Sequence, residues 1–292
     1  MDRPLSRRSA LLSTLSSAVL FGCSPAALLN GASRLAGDKA QLVAAGVSFG
    51  PDPRLKLDVW VPANRPTGPL PVIIFFYGGG WVAGERGDYG FAARAFASRG
   101  FVVVVPDYRL VPQVRFPTFV EDGALAVKWT ADHIASFGGN PRDLLISGHS
   151  AGSYIGAMLA LDRHYLSEAG VDSAAIRAAA LLSGPYDFYP FNEERGRDAM
   201  GAWPQPAETQ PIHFVRRNAP PMLLMHGTAD TIVQPRNSQR LAAALKAAGA
   251  TAELKLYPGK SHIDTIKSLS PVFRGTASAL SDSIAFFAAH DR

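Results

Sequence analysis

Cysteine and charge are the scarcest features of this chain of 292 residues. Cys23 is its single cysteine, which excludes an intramolecular disulfide, a cysteine-rich metal cluster and a cysteine nucleophile deeper in the fold. Charged residues make up only 18% of the chain, and the net charge of +5 is too dilute to indicate a nucleic-acid-binding surface. No apolar run reaches the roughly 18 residues that a membrane-spanning helix needs. The composition, 47% hydrophobic, is instead typical of a globular protein with a large core.

The N-terminus has the pattern of an export signal. Basic residues precede an apolar run at 10–21 that is too short to span a membrane and has the length of a signal-peptide core. The run ends in Leu20-Phe21-Gly22-Cys23, which resembles a bacterial lipobox, and the paired Arg7-Arg8 resembles a twin-arginine signal. We therefore predict a signal peptide over 1–22, lipidation of Cys23 and a membrane-anchored protein on the periplasmic side. Because Phe21 is unusual in a lipobox, ordinary signal cleavage remains the alternative.

Strand and helix patterns alternate along the rest of the chain. Continuous β-branched and aromatic runs at 71–76 and 101–105 predict strands that are buried on both faces, and 54–61 alternates like a half-buried strand paired with 46–49. Further strands are predicted at 143–147, 176–182, 222–225 and 252–256, with helices at 89–99, 118–137, 150–163, 235–248 and 276–290.

This alternation predicts an α/β fold with a mostly parallel central sheet of about eight strands and helices on both faces. We assign 23–45 to a tether with an N-terminal helix and 46–292 to the folded domain. Residues 185–219 have no clear period, so we predict a lid-like insertion over the carboxyl edge of the sheet.

A G-x-S-x-G pattern, Gly148-His149-Ser150-Ala151-Gly152, lies between a predicted strand and a predicted helix. The glycines permit a sharp turn that presents Ser150 above the sheet at a helix N-terminus. A serine hydroxyl needs a neighbouring base to become a nucleophile at neutral pH. In this context the pattern predicts that Ser150 is a catalytic nucleophile.

The base and the acid that orients it are sought in loops after later strands. His262 follows the last predicted strand, and Asp230 follows the strand before it. Asp187 is a second candidate for the acid, and Asp264 is a third, although it is too close to His262 in sequence to receive its Nδ1 proton easily. We favour Asp230, which gives the order Ser, Asp, His along the chain.

A glycine-rich loop, Tyr77-Gly78-Gly79-Gly80-Trp81, follows the buried strand at 71–76. Its backbone N–H groups, with no side chain in the way, could stabilise an oxyanion. A phosphate-binding loop would need a following Lys-Ser/Thr pair, which the chain does not have here.

These motifs, with Phe137-Gly138-Gly139-Asn140-Pro141 and Asp107-Tyr108-Arg109, resemble those of α/β-hydrolases. Within that superfamily the chain is similar to the carboxylesterase and hormone-sensitive-lipase-like branch, near isoprenylcysteine methylesterases and arylformamidases. The resemblance implies these roles: nucleophile Ser150, acid Asp230, base His262, oxyanion-hole amides Gly79, Gly80 and Ala151. It also implies that Asp107-Tyr108-Arg109 braces the sheet edge. Tyr77 departs from the family, which usually has a histidine there.

The expected function is a serine carboxylesterase that hydrolyses small to medium esters through an acyl-enzyme on Ser150, with Trp81 and Tyr186 against the substrate. This chemistry requires no metal or organic cofactor. The expected partners are a small-molecule ester and, through the lipid anchor only, a membrane; nucleic acid is not expected. The alternatives are an arylformamidase-like amide hydrolase and, least favoured because every triad position is present, a non-catalytic binding module.

Overall fold

An eight-stranded sheet forms the centre of the computed structural model, which describes residues 29–31, 33 and 37–290. The strands in chain order are β1 Ala40–Ser48, β2 Lys56–Pro62, β3 Leu70–Phe76, β4 Val102–Pro106, β5 Gly139–His149, β6 Ile176–Leu182, β7 Met222–Gly227 and β8 Ala252–Tyr257. Their spatial order is β1-β2-β4-β3-β5-β6-β7-β8. β1 pairs with β2 and β2 with β4 in antiparallel register, and every later pair is parallel. The predicted α/β fold with a mostly parallel sheet is therefore confirmed, whereas the predicted signal peptide and Cys23 lie outside the described residues.

Both faces of the central strands are covered. Neighbouring residues such as Ile73 and Ile74 point to opposite faces, and both are completely buried. Parallel neighbours need long crossover connections, which helices supply. The helices are Gly90–Ala97, Thr118–His133, Ala151–Leu161, Arg163–Glu168, Glu194–Met200, Arg236–Ala247, His262–Lys267 and Ala279–Ala288. Within the described ranges, no helix is both long enough and apolar enough to cross a membrane.

The first strand begins earlier than the sequence predicts. β1 starts at Ala40, inside the segment assigned to the tether, so the predicted boundary at 45/46 is too late. β1 is rich in alanine and glycine, which have low strand propensity, and none of its residues is fully buried. A side chain of the neighbouring strand helps to hold it: the carboxylate of Asp58, on β2, accepts a hydrogen bond from the N–H of Gly46 at 2.8 Å.

The insertion at 185–219 has regular structure of its own: the helix Glu194–Met200 and two short 3-10 helices. The amide oxygen of Gln210 accepts hydrogen bonds from the N–H groups of Phe188, at 2.7 Å, and Tyr189, at 3.1 Å. Trp81 stacks on Phe188 with ring centroids 6.2 Å apart. The insertion therefore packs against the loop that follows β3.

Candidate active site

The turn between β5 and the helix Ala151–Leu161 holds Ser150 in a strained conformation. Its φ of 55° and ψ of −121° are rarely adopted by a residue with a side chain. A Cβ on Gly152 would lie 2.1 Å from the carbonyl oxygen of Phe76 on β3, so only glycine allows the helix to approach that strand. The Ser150 N–H donates to the carbonyl of Leu182 at 2.9 Å. Close packing and this hydrogen bond thus fix Ser150 at the tip of the turn, at the start of the helix.

Asp230 and His262, which the sequence analysis paired, are in direct contact. The Nδ1 of His262 is 2.7 Å from the Oδ2 of Asp230, and both side chains are buried. The Oδ1 of Asp230 accepts hydrogen bonds from the N–H groups of Ile232, at 3.0 Å, and Val233, at 2.9 Å. These bonds orient the carboxylate so that it receives the Nδ1 proton, which leaves Nε2 of His262 as the basic nitrogen.

Asp230 is ionised despite its burial. Burial alone would raise the pKa of its carboxyl, but hydrogen bonds from His226 and His262 outweigh this and hold the pKa well below its ordinary value. A carboxylate that stays negative favours the imidazolium form of His262, which arises when that ring takes a proton from a nucleophile.

The two rival acids are engaged elsewhere. Asp187 forms an ion pair with Arg240, with 2.8 Å between Oδ2 and Nη1. Asp264 accepts from the N–H of Ser261 at 2.7 Å, in a capping box that begins the helix His262–Lys267. That helix was not predicted: the sequence analysis placed His262 in a loop, although Ser261 and Asp264 have the spacing of a capping box. Neither rival carboxylate bonds to His262.

Two further histidines surround the pair. The Nε2 of His226 is 3.1 Å from the Oδ2 of Asp230 and 2.7 Å from the carbonyl oxygen of Val233. Two acceptors face this nitrogen, so it carries the proton. The Nε2 of His149 is 3.2 Å from the carbonyl oxygen of His262, and the two rings are 4.7 Å apart. Even so, no three metal-ligating side chains are grouped to hold an ion in the part of the chain that the structure describes.

His149 is buried, and its ring lies against that of His262. Burial, and then the proximity of His262, lower the pKa of His149 well below its ordinary value. The sequence analysis assigned His149 a structural role and expected it to point away from Ser150. Its contact with His262 was not predicted, because nothing in the local pattern indicates a contact between residues so far apart in the chain.

The glycine-rich loop lies beside the nucleophile. A Cβ on Gly78 would be 3.1 Å from the Cβ of Ser150. Gly79 and Gly80 have φ values of +142° and +61°, and a Cβ on Gly79 would lie 1.9 Å from the carbonyl oxygen of Ala83. Within residues 29–31, 33 and 37–290, the N–H groups of Gly79 and Gly80 donate no hydrogen bond. Both amides are thus available to a substrate oxygen.

Arg54 braces this loop through Tyr77, where the resemblance leads us to expect a histidine. The Nη2 of Arg54 donates to the hydroxyl of Tyr77 at 3.2 Å and to the carbonyl of Gly84 at 2.7 Å, and its Nε donates to the carbonyl of Tyr108 at 2.8 Å. The rings of Tyr77 and Tyr108 stack with centroids 4.6 Å apart. Tyr77 therefore connects the start of the loop to the turn before β2 and to the segment after β4, and nothing in the sequence pattern pointed to Arg54.

The predicted substrate contact at Tyr186 is wrong, because this side chain is completely buried. Its N–H donates to the side-chain oxygen of Asn237 at 2.9 Å, and its ring turns inward against Gly184. Trp81, the other predicted contact, is 5% exposed and stacks between Phe119 and Phe188. The role of Trp81 toward substrate stays a prediction.

Comparison with known proteins identifies the family. The BD-FAE family model matches residues 57–245. The chain belongs to the BD-FAE family. The BD-FAE match includes the glycine-rich loop, Ser150 and Asp230, and it ends before His262.

Curated relatives and solved structures agree with this assignment. The chain is 32% identical to esterase LipC of Mycobacterium tuberculosis over 235 residues, which cover 74% of this chain and 58% of LipC. It is 29% identical to the isoprenylcysteine alpha-carbonyl methylesterase ICME of Arabidopsis thaliana over 263 residues, 83% of this chain and 61% of that protein. This BD-FAE chain thus spans about three fifths of the length of these relatives.

Two solved esterases have a similar fold. Esterase B of Lactobacillus rhamnosis superposes with a TM-score of 0.77 at 20% identity, over 90% of this chain and 92% of that one. Esterase 2 of Thermogutta terrifontis, in a propionate-bound structure, gives a TM-score of 0.68 at 26% identity, over 84% and 93%. The BD-FAE chain described here has the α/β-hydrolase fold.

Proposed function

We propose that the protein is a serine carboxylesterase that hydrolyses small to medium carboxylic esters through an acyl-enzyme on Ser150. One observation carries the proposal: the 2.7 Å hydrogen bond between His262 and Asp230, formed beside the strained turn that presents Ser150. An oriented imidazole, a serine at a turn tip and an adjacent glycine loop are the parts that acyl transfer needs.

In the proposed reaction, the Oγ of Ser150 attacks the ester carbonyl while Nε2 of His262 takes the hydroxyl proton. The N–H groups of Gly79, Gly80 and Ala151 stabilise the negative oxygen of the tetrahedral intermediate. His262 then gives its proton to the leaving alcohol, and an acyl group remains on Ser150. Water, activated by the same imidazole, attacks the acyl-enzyme, and Ser150 regains its proton when the acid product leaves.

The substrate class is inferred from the relatives. Relatives named esterase and methylesterase support an ester rather than an amide. The Thermogutta terrifontis esterase 2 structures carry propionate or butyrate, which supports short acyl groups here as well. The arylformamidase-like alternative uses the same acyl transfer with an amine as the leaving group, so only substrate assays separate the two.

The test compares p-nitrophenyl esters of increasing acyl length with N-formyl aryl amides, for wild type and Ser150→Ala. We expect the wild type to prefer short esters, and Ser150→Ala to lower kcat by about 10⁴-fold or more, because the triad acts as a unit. Ser136→Ala, which changes an exposed serine in the 3-10 helix Ile134–Phe137, is the matched control. Wild-type turnover in a folded Ser150→Ala protein would refute the proposal, and preference for the formyl amides would favour the arylformamidase-like alternative.

We also propose that Cys23 is lipidated and anchors the enzyme to a bacterial membrane on its exported side. The lipobox-like sequence and the basic, apolar start of the chain support this. Several acyl chains together, at roughly 0.8 kcal/mol per buried CH₂, give stable anchoring where one chain does not.

Fractionation of a bacterium that expresses the full chain tests the anchor. Cys23→Ser should move the protein from the membrane fraction to the soluble periplasm without a change in kcat on water-soluble esters, because residue 23 precedes the folded domain. If both proteins appear in the soluble periplasm, the signal is an ordinary cleaved one. If both remain full-length in the cytoplasm, the export proposal is wrong.

A further inference from the structure

A basic side chain from the insertion lies against the oxyanion loop. A Cβ on Gly80 would be 2.7 Å from the Cδ of Arg195 and 3.1 Å from its Nη1. Arg195 belongs to the helix Glu194–Met200 and is exposed. Its guanidinium thus lies beside a residue whose N–H is expected to face the carbonyl oxygen of the substrate.

Arg195 has no charged partner in the described part of the chain. No acidic side chain there forms an ion pair with it, and its guanidinium takes part in no hydrogen bond, although Glu193 and Glu194 precede it directly. Nearby arginines are engaged: Arg197 donates to the carbonyl of Asn192 at 2.6 Å, and Arg115 donates to the carbonyl of Asp198 at 2.9 Å. Arg195 therefore differs from its neighbours in having free donors next to the site.

The insertion also brings aromatic side chains close to the oxyanion loop. The residue that follows it, Gly196, lies against the rings of Phe188 and Phe191. Phe188 in turn stacks on Trp81, directly after Gly80 in the chain. A guanidinium with free N–H groups favours a planar anion such as a carboxylate, which it can bind through two parallel hydrogen bonds.

We infer that Arg195 is a specificity-determining residue that selects esters carrying a carboxylate a short distance from the scissile carbonyl. The inference rests on the proposed esterase function and extends it from a reaction to a substrate class: the monoesters of short dicarboxylic acids, or short-chain esters of hydroxy acids. The carboxylate binds to Arg195 while the ester carbonyl binds to the amides of Gly79 and Gly80.

Substrates that differ only in charge test this. The acyl-side probes are the mono-p-nitrophenyl ester of glutaric acid, p-nitrophenyl pentanoate and p-nitrophenyl γ-trimethylammonio-butyrate, which share a spacer and differ in a terminal carboxylate, methyl group or cation. The alcohol-side probes are the butyrate esters of p-hydroxybenzoate and of its methyl ester. The variants are Arg195→Gln and Arg195→Glu, with Arg197→Gln as the matched control on the same helix.

We expect the ratio of kcat/KM for the anionic ester to kcat/KM for its neutral partner to fall by about five- to tenfold in Arg195→Gln, on at least one side of the ester bond. Arg195→Glu should lower this ratio further and raise the relative rate on the cationic ester. The wild-type ratio should decrease at 0.5 M salt, because exposed charges are screened. Arg197→Gln should leave the ratio unchanged.

Two results overturn the inference. One is an unchanged ratio on both sides of the ester bond in Arg195→Gln and Arg195→Glu. The other is an equal loss of kcat on all esters, which would make Arg195 a support for the glycine loop. Because Arg195 is exposed, both variants should fold, and their melting temperatures check this. If wild type hydrolyses none of the esters, the proposed function itself fails, which is a different outcome from hydrolysis without a charge preference.

Discussion

Replacement of Asp230 by asparagine changes one atom at the centre of the site, and the structure indicates how the amide will lie. In wild type, Oδ1 accepts from the N–H groups of Ile232 and Val233, and Oδ2 accepts from His226 and His262. If the NH₂ group replaces Oδ1, it faces two backbone N–H groups that lose their acceptor. If it replaces Oδ2, the N–H of His226 keeps the carbonyl of Val233 at 2.7 Å.

A buried donor without an acceptor costs about 1–3 kcal/mol, so the second orientation is favoured by at least one such penalty. The amide then donates toward Nδ1 of His262, which must give up its proton and become the acceptor. The proton moves to Nε2, the nitrogen that has to act as the base. We therefore expect kcat to fall by about 10⁴-fold.

Stability should fall as well, by about 1–3 kcal/mol in the free energy of unfolding, because charged hydrogen bonds to the carboxylate are lost. Since the pKa of Asp230 is lowered in the folded protein, the stability it provides is present at neutral pH and is lost on acidification. The stability difference between wild type and Asp230→Asn should thus shrink below about pH 4.

The assay is steady-state hydrolysis of p-nitrophenyl butyrate at pH 7.5, with chemical denaturation in parallel. Asp264→Asn removes a carboxylate two positions from His262 that does not touch the ring, so its kcat should stay within a few fold of wild type. Asp187→Asn tests the rival acid. If Asp187→Asn or Asp264→Asn costs more activity than Asp230→Asn, the acid is misassigned and the tautomer argument is wrong.

Three further predictions concern the loops around the triad. Gly79→Ala should lower kcat by at least about 100-fold, because its Cβ would collide with the carbonyl of Ala83. The control is Gly100→Ala, also at positive φ but with open space around it, which should keep the kcat of wild type. The kcat of Tyr77→Phe should stay within a few fold of wild type, and that of Tyr77→His within about tenfold, since the hydroxyl faces Arg54. If Tyr77→Phe abolishes turnover at an unchanged melting temperature, the hydroxyl is instead a direct donor to the substrate. The Lys267 ammonium, and then the Ser261 N–H, lower the pKa of Asp264 to about 2. Its ionised form therefore contributes stability that is fully present above about pH 4 and is lost as the pH falls from there to about 2. Thermal unfolding of Asp264→Asn should show a loss of stability at pH 7 that has largely disappeared at pH 2, and an equal loss at both would contradict this account.

Features that depend on a local pattern were predictable from the sequence. The buried strands β3 and β4 have continuous apolar runs, and the turn at Ser150 has glycines where the backbone must come close to β3. Asp230 and His262 follow the ends of β7 and β8, and the carboxyl ends of parallel strands are where such a sheet collects its functional groups.

Features that depend on contacts between distant residues were not predictable. Arg54 bonds to the glycine loop and Arg195 lies beside it, both from distant parts of the chain, and His149 reaches the carbonyl of His262. Tyr186 was misjudged because an aromatic residue in an irregular segment has the same sequence signature whether it faces a substrate or the core. Its burial depends on Asn237, which lies on a later helix.

The position of Arg54 bears on how the chain can be shortened. The span shared with the family, 57–245, keeps Ser150 and Asp230 but leaves out both Arg54 and His262. A protein trimmed to that span would lack the histidine that bonds to Asp230 and the arginine that bonds to the glycine loop, even with Ser150 in place. A chimera that takes the glycine loop of this chain should therefore also take Arg54, which bonds from the turn between β1 and β2 to the hydroxyl of Tyr77 and the carbonyl of Gly84.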